Sequence, residues 1–189
     1  MKLILASKSP RRREILGAMG YTFDIVTSEA DETLPEDTSP RDGVELLAIR
    51  KGEAVTPLVD PDAVILSSDT LVDLDGVALG KPEDEEDAFR MLRALSGAVH
   101  HVHTGVAVRC GDTVLSGVDT TAVYFRPLSD TEIRAYIATG EPMDKAGAYG
   151  IQGAAGAFVR KIEGDFDTVM GLSSRLCEEL LSKIGGTQP

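Results

Sequence analysis

Leu3-Ile4-Leu5-Ala6-Ser7-Lys8-Ser9-Pro10-Arg11-Arg12-Arg13-Glu14-Ile15-Leu16 passes from an apolar run into a helical pattern with no linker between them. Residues 3–6 read as a buried strand. Ser9 stands where a helix cap belongs and Pro10 at the first helical position, where its missing N–H costs nothing. Ile15, Leu16 and Met19 give that helix an apolar face, and Gly20 stops it. A strand that feeds directly into a helix is the repeating unit of an α/β sheet.

The same alternation continues outward from this start. A second strand is expected near residues 22–26, then an acidic, proline-containing loop to Ser39. A helix from Pro40 follows, with Val44, Leu47 and Ala48 on one face and Lys51 at the edge of that stripe. Residues 63–67 read as a strand ending in Ser68-Asp69-Thr70, and Asp75-Gly76 as a hairpin turn. A helix is expected over 83–95, long paired strands over 99–108 and 114–125, and a capped helix from Ser129 to about residue 139. A glycine-rich loop, a strand near 157–162 and a helix over 174–183 complete the chain. With no linker or low-complexity stretch, the expectation is one α/β domain over residues 1–189.

At 189 residues, with 42% hydrophobic and 26% charged residues, the chain has the composition of a globular protein. Its net charge is −12, from 19 Lys+Arg against 31 Asp+Glu, so its far field repels nucleic acids and anionic lipid surfaces. The first thirteen residues reverse that sign, with Lys2, Lys8, Arg11, Arg12 and Arg13 and no acid. No apolar stretch approaches the roughly 18 residues of a membrane span, and the first apolar run is shorter than a signal-peptide core. Two cysteines, Cys110 and Cys177, make neither a disulfide framework nor a zinc site. A soluble cytoplasmic protein is the expectation.

Four groups of residues could carry chemistry. Residues 6–13 join two hydroxyls, several cations and the N–H groups of a helix start, a combination suited to a phosphate chain. Asp69 follows an apolar strand, where a carboxylate can bind a metal or activate water, or simply cap a turn. Lys51, Lys81 and Lys145 are isolated cations, and Gly80 and Pro82 hold Lys81 in a stiff turn. Residues 147–156 carry glycine at every third position, with Gln152 able to donate and accept through one planar amide, as the edge of a base requires. Residues 76–81 superficially match a phosphate loop, but the glycine spacing is one residue short and Pro82 replaces the required hydroxyl. His101 and His103 fall on one face of their strand and His100 on the other, so the three cannot share one ion.

In order along the chain stand LASKSPRRREIL, Asp31-Glu32, Lys51 after LLAIR, SSDT at 67–70, LGKP at 79–82, SGAVHHVHTGV at 96–106 and EPMDKAGAYGIQG at 141–153. Together these segments resemble the Maf family of nucleoside triphosphate pyrophosphatases. The resemblance implies an α/β fold shared with inosine triphosphatase-like enzymes, a mixed twisted sheet flanked by helices with a substrate cleft between two lobes. It implies hydrolysis of a nucleoside triphosphate to the monophosphate and pyrophosphate with a divalent cation, magnesium or manganese. The family's general base falls on Asp69, an acidic metal position on Glu32 beside Asp69, and phosphate-binding positions on Ser7, Arg12, Lys51 and Lys81. Arg11, Thr70 and Gln152 at the three places that separate the subgroups are similar to the branch acting on dTTP and UTP. The sister branch acting on 7-methyl-GTP and a non-hydrolytic nucleotide-binding regulator of cell division are the alternatives. A homodimer is also implied. One departure is Ser173 where the family usually has proline after Gly171-Leu172.

Overall fold

The computed structural model describes residues 2–185. Seven strands join in the hydrogen-bonded order β2-β1-β3-β5-β6-β7, with β4 on β3. They are β1 (Leu3–Leu5), β2 (Asp24–Ile25), β3 (Val64–Leu74), β4 (Val77–Leu79), β5 (Val99–Cys110), β6 (Thr113–Phe125) and β7 (Val159–Glu163). The helices are α1 (Pro10–Ala18), α2 (Pro40–Val55), α3 (Glu85–Leu95), α4 (Asp130–Ile137), α5 (Phe166–Met170) and α6 (Ser174–Lys183). The mixed α/β class is as expected. Residues 2–70, 104–119 and 171–185 form one compact unit, and residues 71–103 and 120–170 form another.

In the first unit β1 lies parallel to both β2 and β3, with Leu5 opposite Ile25 and Leu66. A strand with parallel neighbours on both sides is covered above and below, which is why Leu3, Ile4 and Leu5 are all buried. Ser39 caps α2 by accepting from the Asp42 N–H at 3.1 Å. Val44, Leu47 and Ala48 are buried. At Gly105 of β5 an added methyl would lie 2.6 Å from the Val44 carbonyl carbon, so helix and sheet meet backbone to backbone. The Ser67 hydroxyl seals the contact by donating to the Ala48 carbonyl at 2.7 Å. This close seating carries Lys51 down toward β3.

Two expectations are corrected here. The third strand does not stop before Asp69 but runs on to Leu74, so Asp69 and Thr70 are interior strand residues. The Ser9 side chain does not cap α1; its own N–H instead donates to the Ser7 hydroxyl at 3.2 Å. Ser173, where proline was the family's habit, caps α6 by accepting from Leu176 N–H at 3.1 Å.

In the second unit Asp75 and Gly76 both adopt positive φ, 53° and 84°, the twist-matched geometry of a two-residue hairpin between β3 and β4. Ala88, Met91, Leu92 and Leu95 recur at helical spacing on the buried face of α3. The capping box at Ser129 and Glu132 starts α4 as expected. Among the described residues no helix is long and apolar enough to cross a membrane.

His100 lies in this second core, fully buried and edge-on to Phe125 and Tyr149. Its Nε2 is 2.8 Å from the Tyr149 hydroxyl, and its Nδ1 has no hydrogen-bond partner among the described residues. Burial, with a smaller push from His101, lowers its pKa to about 4. The unfolded chain therefore binds a proton at His100 near pH 6.5 that the folded chain refuses until about pH 4. Stability is complete above that window and falls as pH drops through it, by about 3 kcal/mol at the limit. Urea midpoints should fall between pH 7 and pH 4.5, and His100→Gln should flatten that slope; equal slopes would contradict the account. Glu132, held down to about 2 chiefly by Arg126, loses its contribution only below about pH 4.5, outside the range between pH 7 and pH 4.5.

Candidate active site

The first unit gathers Ser7, Arg12, Glu32, Lys51, Asp69 and Thr70. Arg12 projects from the first turn of α1, a helix whose positive end carries three arginines and no acid. Cations there oppose the helix dipole, a local cost that a bound anion would reverse. The Arg12 guanidinium is fixed as a fork: Nε donates to the Gly171 carbonyl at 2.7 Å, Nη1 to the Ser68 carbonyl at 2.7 Å and the Ser7 hydroxyl at 3.4 Å, and Nη2 to the Thr70 hydroxyl at 3.3 Å. Desolvation lowers the Arg12 pKa, and Arg11 on the same turn pushes the same way, while Asp69 and Glu32 oppose both.

Lys51 Nζ stands 2.5 Å from Asp69 Oδ1 and 2.9 Å from Glu32 Oε1. Asp69 is buried, with 11% of its side chain exposed, whereas Glu32 is mostly exposed at 65%. Two carboxylates thus converge on one cation. Hard oxygen donors of this kind suit magnesium, which is commonly held by one or two carboxylates with phosphate oxygens and water completing its shell. Asp69 and Glu32 fit that role as a pair. Among the described residues no group of three or more His, Cys, Asp or Glu could hold a metal by protein ligands alone.

Sequence reasoning missed two partners. The Gly171 carbonyl accepts from both Arg12 and the Ser68 hydroxyl, the latter at 3.0 Å, and Gly171 has φ of 115°, which side chains rarely adopt. Thr104 meets the Thr70 hydroxyl at 2.9 Å. The only local signal was Gly171 itself, standing before the last helix.

Lys81 and Gln152 belong to the second unit. Gly147 N–H donates to the Gly80 carbonyl at 3.0 Å, tying the Lys81 turn to the glycine-rich loop. Lys81 is exposed and forms no ion pair among the described residues, and Gln152 is likewise exposed. Lys145, singled out with them, is instead turned inward on Glu141 and Asp144.

Known proteins extend these observations. The family described as "Maf-like protein" matches residues 2–184. A chain of Alkaliphilus metalliredigens named dTTP/UTP pyrophosphatase is 50% identical over 185 residues, covering 96% of this chain and 95% of that one. A Vibrio cholerae chain of the same name is 49% identical over 182 residues, covering 96% and 97%. Among solved structures, a Staphylococcus aureus Ham1 protein is similar over 66% of this chain and 72% of its own, at 12% identity and a TM-score of 0.48.

Proposed function

This chain belongs to the Maf-like protein family, and from that premise we propose that it hydrolyses dTTP and UTP to the monophosphate and pyrophosphate. The observation that carries the reading is the convergence of Asp69 and Glu32 on Lys51, in the same unit as the anchored Arg12 fork. Carboxylates able to hold a cation and take a proton, beside donors able to hold phosphate, are what phosphoryl transfer to water requires.

In this reading Asp69 accepts the proton of a water whose oxygen attacks the α-phosphorus. The bond from that phosphorus to the bridging oxygen breaks, and pyrophosphate leaves with the electron pair. Arg12, Lys51 and Ser7 hold phosphate oxygens, and Lys81 is assigned to phosphate as well. Arg11, Thr70 and Gln152 are the residues assigned to substrate choice, Gln152 by pairing with the edge of the base. Magnesium or manganese held by Asp69 and Glu32 would supply charge neutralisation on the triphosphate. Cytoplasmic residence and a homodimer belong to the same proposal.

Pyrophosphate release over a panel of triphosphates is the test. With magnesium, dTTP and UTP should exceed CTP, GTP and 7-methyl-GTP in kcat/KM by about tenfold or more, the low end of what pocket contacts discriminate, and chelation should abolish turnover. Preference for 7-methyl-GTP would move the chain to the sister activity. Tight binding without cleavage of any member would favour the regulator.

A further inference from the structure

Residues 147–156 carry glycine at every third position, and base recognition by Gln152 leaves that spacing unexplained. The contacts inside the second unit explain two of the glycines. A methyl on Gly150 would lie 2.7 Å from Lys145 Cε and 2.9 Å from its Cδ. A methyl on Gly153 would lie 2.5 Å from Glu141 Cδ and closer still to its Oε1. The space these glycines vacate is filled by Lys145 and Glu141, from the short helical turn Glu141–Asp144 and the residue after it.

Polar contacts follow the same path. Glu141 Oε1 accepts from the Tyr136 hydroxyl at 3.0 Å, and Oε2 from the Ala154 N–H at 3.4 Å. The Tyr136 hydroxyl accepts in turn from the Gly150 N–H at 3.1 Å, and Lys145 Nζ donates to the Glu141 carbonyl at 2.8 Å. Tyr136 is buried at the end of α4, so this brace is anchored in the core. Gln152 sits between the two held points, Gly150 and Gly153-Ala154, with its own side chain exposed.

We propose that Glu141 is a positioning residue for substrate choice: its carboxylate, with the Tyr136 hydroxyl, fixes the loop so that the Gln152 amide meets the edge of a pyrimidine already in place. The inference rests on the reading of the chain as a dTTP/UTP pyrophosphatase and deepens it. A loop ordered before binding loses less conformational freedom when the base arrives, so loosening it weakens base-dependent affinity and leaves phosphate contacts alone.

The test compares Glu141→Gln, Tyr136→Phe and Gln152→Ala with the wild-type chain. Glu141→Gln keeps the shape but leaves one acceptor oxygen where the carboxylate offered two, so the Tyr136 hydroxyl and the Ala154 N–H cannot both donate to it as before; Tyr136→Phe keeps the core ring and removes only the hydroxyl. KM for dTTP should rise about tenfold in Glu141→Gln and in Gln152→Ala, with kcat within about threefold, and the double variant should lose little more, as coupled sites do. Tyr136→Phe should move KM the same way. The inhibition constant for inorganic tripolyphosphate, which has no base, should stay within about twofold throughout.

Unchanged KM in both Glu141→Gln and Tyr136→Phe, beside a wild-type chain that cleaves dTTP, overturns this inference alone. So does a tripolyphosphate constant that rises in step with KM, the mark of general loosening. A wild-type chain that cleaves neither dTTP nor UTP ends the functional reading, and this inference with it.

Discussion

Asp69→Asn is expected to lower kcat for dTTP and UTP by about a thousandfold, within the range a general base contributes, while the protein stays folded. The expectation of an intact fold comes from the neighbours of Asp69. Ser67 is tied to the Ala48 carbonyl and Ser68 to the Gly171 carbonyl, so the strand is held on both faces without the Asp69 carboxylate. Asparagine fills the same volume and offers Lys51 a neutral oxygen. What it lacks is the charge that takes a proton from water and, with Glu32, holds a cation. Steady-state kinetics with a thermal melt check both halves. Activity within tenfold of wild type on a folded variant would remove Asp69 from the role of base.

Arg12→Lys is expected to lower kcat/KM by about a hundredfold or more and to depress the melting temperature by several degrees. An ammonium keeps the positive charge but cannot reproduce a planar fork. Arg12 reaches the Gly171 and Ser68 carbonyls, Ser7 and Thr70 at once, and each bond to a charged group is worth roughly 1.5–3 kcal/mol before the compensations of a flexible replacement. Loss of the fork leaves the Gly171 and Ser68 carbonyls short of donors and unfixes Ser7 and Thr70 together. Near wild-type kinetics and melting in Arg12→Lys would mean that charge alone matters there.

These two residues also mark what the sequence could reveal. The strand-to-helix start, the apolar face of α2, the Asp75-Gly76 hairpin and the Ser129 capping box depend on neighbours within a few positions, and each was readable as such. The run of β3 through Ser68, Asp69 and Thr70 was not. Three polar residues look like the end of a strand unless their partners are known, and those partners are Gly171, Lys51 and Thr104, between 18 and 103 positions away. Arg12 was legible as a cation near a helix start, but its hold on Gly171 spans 159 positions. The glycine spacing of residues 147–156 was visible at once, and its reason required knowing that Glu141 and Lys145 fill the gaps.

The charge pattern follows the same division. A chain of net charge −12 repels polyanions at a distance, yet its basic first segment folds into a helix start where Arg12 is pinned, and on α2 Lys51 is drawn to two acids. The long-range field is therefore negative, while at the site Arg12 and Lys51 stand against Asp69 and Glu32.

Hydrolysis of dTTP in water enriched in oxygen-18, followed by mass analysis of both products, tests the central claim most directly. Attack by water at the α-phosphorus predicts one labelled oxygen in dTMP and none in pyrophosphate. Label in pyrophosphate, or release of orthophosphate in place of pyrophosphate, would contradict it.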